Sequence, residues 1–171
     1  MGCVVRGVTL EAVALADCTL SAVSFERCVF RRVSLARVSG TGLVFRGCVF
    51  EDCVLLEWSL TQSAFLPDAE GRATYLLRTV CGLWSGQRVV FQFCSFEAWV
   101  LGASSLLAAE FESCGLRDSI WLELSLEGAE FRDTAFERAR WSEVTLRGAS
   151  FARSDLRGLT AIDLTVEETT F

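Results

Sequence analysis

Acidic side chains recur at a fixed interval in the C-terminal half of the chain and are the first candidates for a functional role. Glu123, Glu143 and Asp163 are spaced by 20 residues, and Glu110 and Glu130 form a second pair with the same spacing. Like charges repel at short range, so stacked carboxylates either lie in solvent or contact a cationic partner. The second alternative makes all five residues candidate protein contacts.

Eight cysteines are the other potentially reactive side chains. None forms a Cys-x-x-Cys pair and the sequence contains no histidine, so we expect no metal site. Cys28, Cys48, Cys94 and Cys114 share one repeat position, where they serve either as small core residues or as redox groups. The sequence shows no nucleophile motif and no phosphate-binding loop, which predicts a protein that is not an enzyme and needs no cofactor.

A five-residue repeat must position these side chains. Between Gly128 and Phe151, large apolar residues recur at every fifth position, a smaller residue lies two positions before each, and the other positions carry most of the charge. A helix repeats every 3.6 residues and a strand every 2, so neither explains this spacing. A coil with four five-residue sides does, because it sends two side chains of each unit inward.

Residues 20 apart should then stack, and two independent patterns agree with this period. One series of core positions is aromatic in nearly every coil, and surface series such as Arg6, Glu26 and Arg46 alternate in sign. Stacked strands lie about 4.8 Å apart, so alternating charges would fix the register. The sequence therefore predicts an all-β fold, a quadrilateral parallel β-helix of about eight 20-residue coils with one inserted loop. The aromatic series comprises Phe25, Phe45, Phe65, Phe91, Phe111, Phe131, Phe151 and Phe171.

The segments RSDLRG (residues 153–158) and GAEFRD (residues 128–133) resemble the consensus of the pentapeptide-repeat family. The resemblance extends over nearly the whole chain, although the Asp or Asn before each central residue is mostly Ser, Thr, Val or Ala here. It implies a right-handed quadrilateral β-helix and a single domain over residues 1–171.

The repeat is interrupted over residues 66–90. The interval from Phe65 to Phe91 is 26 residues, which equals one coil plus six residues. Turn-forming residues favour an insertion near 66–72 between coils 3–65 and 73–171. The alternative is a longer loop or a short helix over 68–84.

The inserted loop supplies three more candidate protein contacts, Pro67, Asp68 and Glu70. Trp58, Trp84 and Trp99 lie near the break, where they either fill the core of an irregular coil or form a contact site, since Trp is enriched in binding hot spots. In the first case we expect Trp84 to fill the space left by a glycine two residues later.

The charge distribution restricts the class of partner. The chain has 16 Arg and no Lys, its net charge is −6, and most of its carboxylates lie after residue 90. This predicts no direct binding to nucleic acid and no binding to an anionic membrane. The sequence shows no signal peptide and no apolar run of about 18 residues, so we expect a cytoplasmic protein with free thiols.

Two functions fit these observations. One is a non-catalytic protein-binding scaffold, built on a rigid β-helix rod, whose partner has a basic surface. The other follows from the family resemblance, because some bacterial pentapeptide-repeat proteins mimic DNA, bind type II topoisomerases such as DNA gyrase, and protect against quinolones.

The repeat is in phase at Val5 and at Phe171, and neither end carries a recognisable cap. Solenoids need polar terminal caps to remain soluble. We therefore expect the ends to be covered by a second copy, by another domain or by a partner protein. We favour an end-to-end homodimer, with Leu164, Val166 and Phe171 as candidate contacts.

Overall fold

A computed structural model describes residues 2–171; Met1, the first residue of the predicted domain, lies outside the described residues. The described residues form 24 short β-strands and no helix. The first eight strands are β1 (Cys3–Arg6), β2 (Thr9–Glu11), β3 (Ala14–Ser21), β4 (Val23–Glu26), β5 (Val29–Arg31), β6 (Ser34–Thr41), β7 (Val44–Arg46) and β8 (Val49–Glu51). The next eight are β9 (Val54–Leu56), β10 (Ser59–Thr61), β11 (Ala64–Leu66), β12 (Thr74–Leu77), β13 (Val80–Gly82), β14 (Ser85–Gln87), β15 (Val90–Gln92) and β16 (Cys94–Glu97). The last eight are β17 (Val100–Leu107), β18 (Glu110–Glu112), β19 (Ile120–Ser125), β20 (Glu130–Arg132), β21 (Arg140–Arg147), β22 (Ser150–Ala152), β23 (Thr160–Ile162) and β24 (Thr165–Glu167).

All strand pairs are parallel, and outside the inserted loop each residue pairs with the residue 20 positions away, as Phe111 does with Phe131. The strands form three sheets of eight, eleven and five strands. This arrangement confirms the predicted parallel β-solenoid of about eight coils. We number the four sides of each coil by their inward-pointing residues: the first side holds Phe131, the second Phe136, the third Trp141 and the fourth Leu146.

The third and fourth sides belong to one sheet. Strands β3, β6, β17, β19 and β21 run from one side onto the next, whereas the first and second sides have separate sheets. The core lies between the four sides and consists of the inward residues; Phe91, Phe111 and Phe131 are almost completely buried. Their rings stack along the rod with centroids 4.7–4.9 Å apart.

Each five-residue side ends at a corner where the backbone adopts a positive φ. Six glycines occupy such corners, but most corners are occupied by other residues, including Asp133 at φ 50° and Arg153 at φ 52°. Non-glycine residues rarely take this conformation, so the stacking of neighbouring coils must hold the corners in place.

The inserted loop lies between β11 and β12. Phe65 pairs with Phe91 and Leu76 with Phe50, so the register across the loop shifts from 20 to 26 residues. Strands β12 and β13 follow directly, and neither a helix nor a long loop spans residues 68–84.

The expectation that Trp84 fills the space beside Gly86 is wrong. A Cβ atom at Gly86 would lie 2.6 Å from Leu106 Cδ2 and 3.0 Å from Val89 Cγ2, so these two aliphatic side chains occupy that space. The indole of Trp84 instead stacks on Trp58, with ring centroids 5.2 Å apart and planes inclined by 5°.

Candidate functional site

The surface charges are segregated among the four sides. Most ion pairs lie on the first and second sides and their corners, as in Arg31–Glu51 at 3.1 Å and Arg138–Asp118 at 2.7 Å. The partners in both of these pairs are one coil apart, so such pairs cross-link neighbouring coils. Each exposed pair contributes only about 0–1 kcal/mol, so their main effect is on register.

The outer surface of the third side is almost uncharged. Among the residues that flank its inward positions, only Arg140 carries a charge, and several aliphatic side chains are substantially exposed. We call this surface the apolar face; its residues are Ala14, Ala16, Ser34, Ala36, Val54, Leu56, Val80, Gly82, Val100, Gly102, Ile120, Leu122, Arg140, Ser142, Thr160 and Ile162. Val80, Leu122 and Ile162 are 42%, 41% and 60% exposed.

Glu123, Glu143 and Asp163, which we call the acidic corner, follow one another at the corner between the third and fourth sides. All three side chains are exposed, and the backbone at each of these residues adopts a positive φ of 53–57°. Among residues 2–171 none of them has an ion-pair partner within 4 Å. At the other end of the same corner, Arg37 pairs with Asp17 at 2.6 Å, so the negative charge is concentrated toward the C-terminal end.

A shallow groove of about 610 Å³ lies beside the acidic corner. Glu123 and Glu143 line it together with Ser105, Ser125 and Leu83. Leu83 precedes the acidic corner along the same edge, is 57% exposed and has a φ of 58°. The groove therefore joins an apolar end, at Leu83, to an anionic end.

Glu110 and Glu130 lie elsewhere, on the first side, where they pair directly across β18 and β20. Glu130 forms an ion pair with Arg132, whereas Glu110 has no such partner among the described residues. The structure therefore does not bring this pair together with the acidic corner, because the fourth side separates them.

The inserted loop is a compact turn. The carboxylate of Asp68 accepts hydrogen bonds from the backbone N–H groups of Glu70 and Arg72, at 3.0 and 2.9 Å, and from Arg72 Nε at 2.6 Å. Burial acts to raise the pKa of Asp68, but the hydrogen bonds from Arg72 outweigh it and the pKa is lowered. Asp68 thus holds the loop together with a side chain that is only 5% exposed. Pro67 is half-buried and Glu70 is exposed.

The C-terminal coil exposes apolar side chains. Leu164, Val166 and Phe171 are 37%, 45% and 74% exposed. The ring of Phe171 stacks on Phe151 with centroids 5.2 Å apart, so it continues the aromatic series of the core.

Comparison with known proteins identifies the repeat. The family model described as pentapeptide repeats matches residues 107–159 with eight copies, and the same register continues through the remaining coils. Residues 107–159 therefore match the pentapeptide-repeat family, which confirms the resemblance seen in the sequence.

Solved structures of similar shape include members of this family. A trypsin-treated variant of QnrB1, a plasmid-mediated fluoroquinolone resistance protein, shares 15% identity over 94% of this chain and 92% of its own, with a TM-score of 0.49. HetL, involved in heterocyst differentiation regulation in the cyanobacterium Nostoc, shares 13% identity over 98% and 88% of the two chains, with a TM-score of 0.35. No curated protein matches the sequence.

The pentapeptide-repeat coil buries most of the thiols. Burial raises the pKa of Cys48 to about 12 and also raises the pKa values of Cys53, Cys81 and Cys94. Cys3 is exposed and Cys18 is half-buried. Since the thiolate is the reactive form, the buried cysteines are suited to packing.

We therefore expect iodoacetamide to modify only Cys3 and Cys18 in the folded protein at about pH 8, near the ordinary pKa of a thiol. All eight cysteines should react in urea, and peptide mass spectrometry would count the modified sites. Rapid modification of Cys94 in the folded protein would contradict a purely structural role.

Two further properties concern the described residues alone. Within residues 2–171, no group of three or more His, Cys, Asp or Glu side chains is arranged to hold a metal ion. No helix in this part of the chain is long and apolar enough to cross a membrane.

Sequence analysis missed the apolar face and Leu83. Both occupy outward positions of the repeat, which carry most of the charge of the chain but are not charged on every side. The signal was present, because the residues on either side of the third-side core position lack charge in almost every coil.

Proposed function

We propose that this pentapeptide-repeat protein is a non-catalytic scaffold that binds a partner protein with a basic surface at the acidic corner. The observation that carries the proposal is the contrast between paired and unpaired charges. Arginines neutralise carboxylates one coil away over most of the rod, yet Glu123, Glu143 and Asp163 remain unpaired beside a groove. Carboxylates in this position favour a cationic partner and steer its approach.

Replacing Glu123 and Glu143 with Arg should abolish partner binding and leave the free energy of unfolding nearly unchanged, because both side chains are exposed. The immobilised protein would be incubated with bacterial lysate at low salt, where such contacts are strongest, and the retained proteins quantified by mass spectrometry.

The control is a variant with Glu97→Arg and Glu168→Arg, which makes the same charge change at exposed carboxylates away from the groove. Proteins retained equally by all three forms would argue against the acidic corner as the contact. Glu110, Pro67 and Glu70 remain secondary candidates, to be tested by the same comparison.

A second candidate function is a DNA-mimicking inhibitor of bacterial type II topoisomerase. The acidic excess after residue 90 favours it, since two carboxylates are present there for each arginine. Supercoiling by DNA gyrase, measured with added protein in the presence and absence of a quinolone, separates the two functions. A scaffold without affinity for gyrase would leave both reactions unchanged.

The exposed C-terminal coil supports a further part of the proposal, a homodimer formed end to end. Leu164, Val166 and Phe171 would bury their apolar surface against a second copy. Sedimentation should then show a dimer that dissociates on combining Phe171→Asp with Leu164→Asp. A wild-type protein that is monomeric at high micromolar concentration would exclude it.

A further inference from the structure

The apolar face meets the acidic corner along one edge of the rod. The face extends over eight coils, whose seven intervals correspond to about 34 Å at the spacing of parallel strands. Exposed apolar surfaces of this extent mark interaction sites in soluble proteins. Val80, Leu122 and Ile162 are therefore expected to contact another molecule.

A second copy of the chain fits this face poorly. The register places Arg32, Asp52, Asp118 and Arg138 along the opposite edge of the face, at the corner with the second side. If two rods packed face to face in parallel, Asp118 would lie opposite Glu123. If they packed antiparallel, Asp52 would lie opposite Asp118 and Arg32 opposite Arg138. Opposite charges would also meet, Arg138 with Glu143 in the parallel arrangement and Arg37 with Glu143 in the antiparallel one, so neither arrangement is complementary along its whole length.

We infer that the apolar face and the groove bind an amphipathic α-helix of a partner protein, with a basic stripe that pairs with the acidic corner. This inference rests on the proposed scaffold function and names the chemistry of its partner. The charge of the occupant follows from Glu123, Glu143 and Asp163, and its apolar stripe follows from the neighbouring face.

The spacing of the carboxylates favours a helix lying along the rod. Glu143 and Asp163 lie about 4.8 and 9.6 Å from Glu123 along the stack. Basic residues at positions i, i+3 and i+7 of a helix rise by about 4.5 and 10.5 Å, close to these intervals. An extended strand places same-side residues about 6.6–6.8 Å apart, so only one of its residues could match the carboxylate spacing of about 4.8 Å.

The groove also sets the direction of the charge pattern. Leu83 lies four coils before Asp163 on the same edge, about 19 Å away, and offers an apolar contact where the acidic side chains are absent. The bound helix should therefore be apolar where it passes Leu83 and basic where it passes Glu143 and Asp163.

The test uses two fluorescein-labelled synthetic peptides of about 16 residues, long enough to cover about 24 Å as a helix. Both have the same composition of Leu, Ala and Lys. One places Lys at i, i+3 and i+7 beside a Leu stripe; the other has the Lys residues distributed around the helix. Fluorescence anisotropy at low salt should show the patterned peptide binding at least about tenfold more tightly, since its ion pairs act together.

Variants of the full-length protein localise the contact. Replacing Glu123 and Glu143 with Gln should lower the affinity for the patterned peptide about tenfold at low salt and much less at high salt. Leu122→Thr should lower the affinity for this peptide at every salt concentration, because the substitution removes apolar contact without adding charge. The control is Leu107→Thr, which changes a leucine of equal exposure, 41%, on the fourth side.

Equal binding of the two peptides, or no effect of Leu122→Thr, would overturn the inference. If the lysate proteins still depend on Glu123 and Glu143 while the peptides fail to discriminate, the scaffold function stands and the helical partner does not. Light scattering of the wild type and of Leu122→Thr provides the remaining check. A dimer lost on this substitution would show that a second copy occupies the face.

Discussion

Replacing Phe131 with alanine is expected to lower the free energy of unfolding by about 3–5 kcal/mol, the usual cost of truncating a buried aromatic side chain. The Phe131 ring is completely buried. It stacks between Phe111 and Phe151, with centroids 4.9 and 4.6 Å away, and meets the edge of Phe136 at 5.4 Å. The neighbouring coils are fixed by their ladder hydrogen bonds, so they cannot close the cavity that the substitution leaves.

Denaturant unfolding followed by far-ultraviolet circular dichroism would measure this loss. The matched control is Arg132→Ala at the next residue, which points outward and forms an exposed ion pair with Glu130; it should cost no more than about 1 kcal/mol. A loss below about 1 kcal/mol for Phe131→Ala would mean that the aromatic series does not stabilise the rod.

The fold was predictable because the repeat imposes the same local choice in every coil. The central inward position of most sides holds a large apolar residue and the inward position two residues earlier a small one, with Trp58, Trp84 and Trp99 as exceptions. The alternating charges of stacked surface residues supplied independent information on register. Arg6 and Glu26, for example, form an ion pair at 2.6 Å. These patterns agree at every level from residue to coil, which is why the number of coils followed from the sequence.

The candidate site was only partly predictable. The spacing of Glu123, Glu143 and Asp163 placed them on one edge, because that follows from register alone. The lack of partners around them depends on which neighbouring side chains reach the corner, and only the folded chain determines this. The same reason applies to Asp68, whose position in the loop suggested an exposed contact but whose carboxylate is held by Arg72.

The distribution of surface features also follows from the geometry of the coil. A rod with four sides can place most paired charges on two of them and leave the third almost uncharged without disturbing the core, since inward and outward residues vary independently. The strands that run from the third side onto the fourth give the uncharged surface a continuous backbone. Such a surface offers a rigid contact area that changes little on binding.

Replacing Trp84 with alanine is the second change expected to have a large effect, about 3–5 kcal/mol of unfolding free energy. The indole is buried, stacks on Trp58 and donates a hydrogen bond from Nε1 to the carbonyl oxygen of Leu55 at 2.9 Å. Trp84→Phe should cost less, because an aromatic ring is kept for stacking. It loses some packing and the hydrogen bond, which contributes about 0.5–1.5 kcal/mol. The same denaturant titration measures both variants, and the difference between them separates the contribution of the ring from that of the N–H group. If Trp84→Ala instead left stability unchanged and reduced retention of lysate proteins, the tryptophan would be a partner contact and not a core residue.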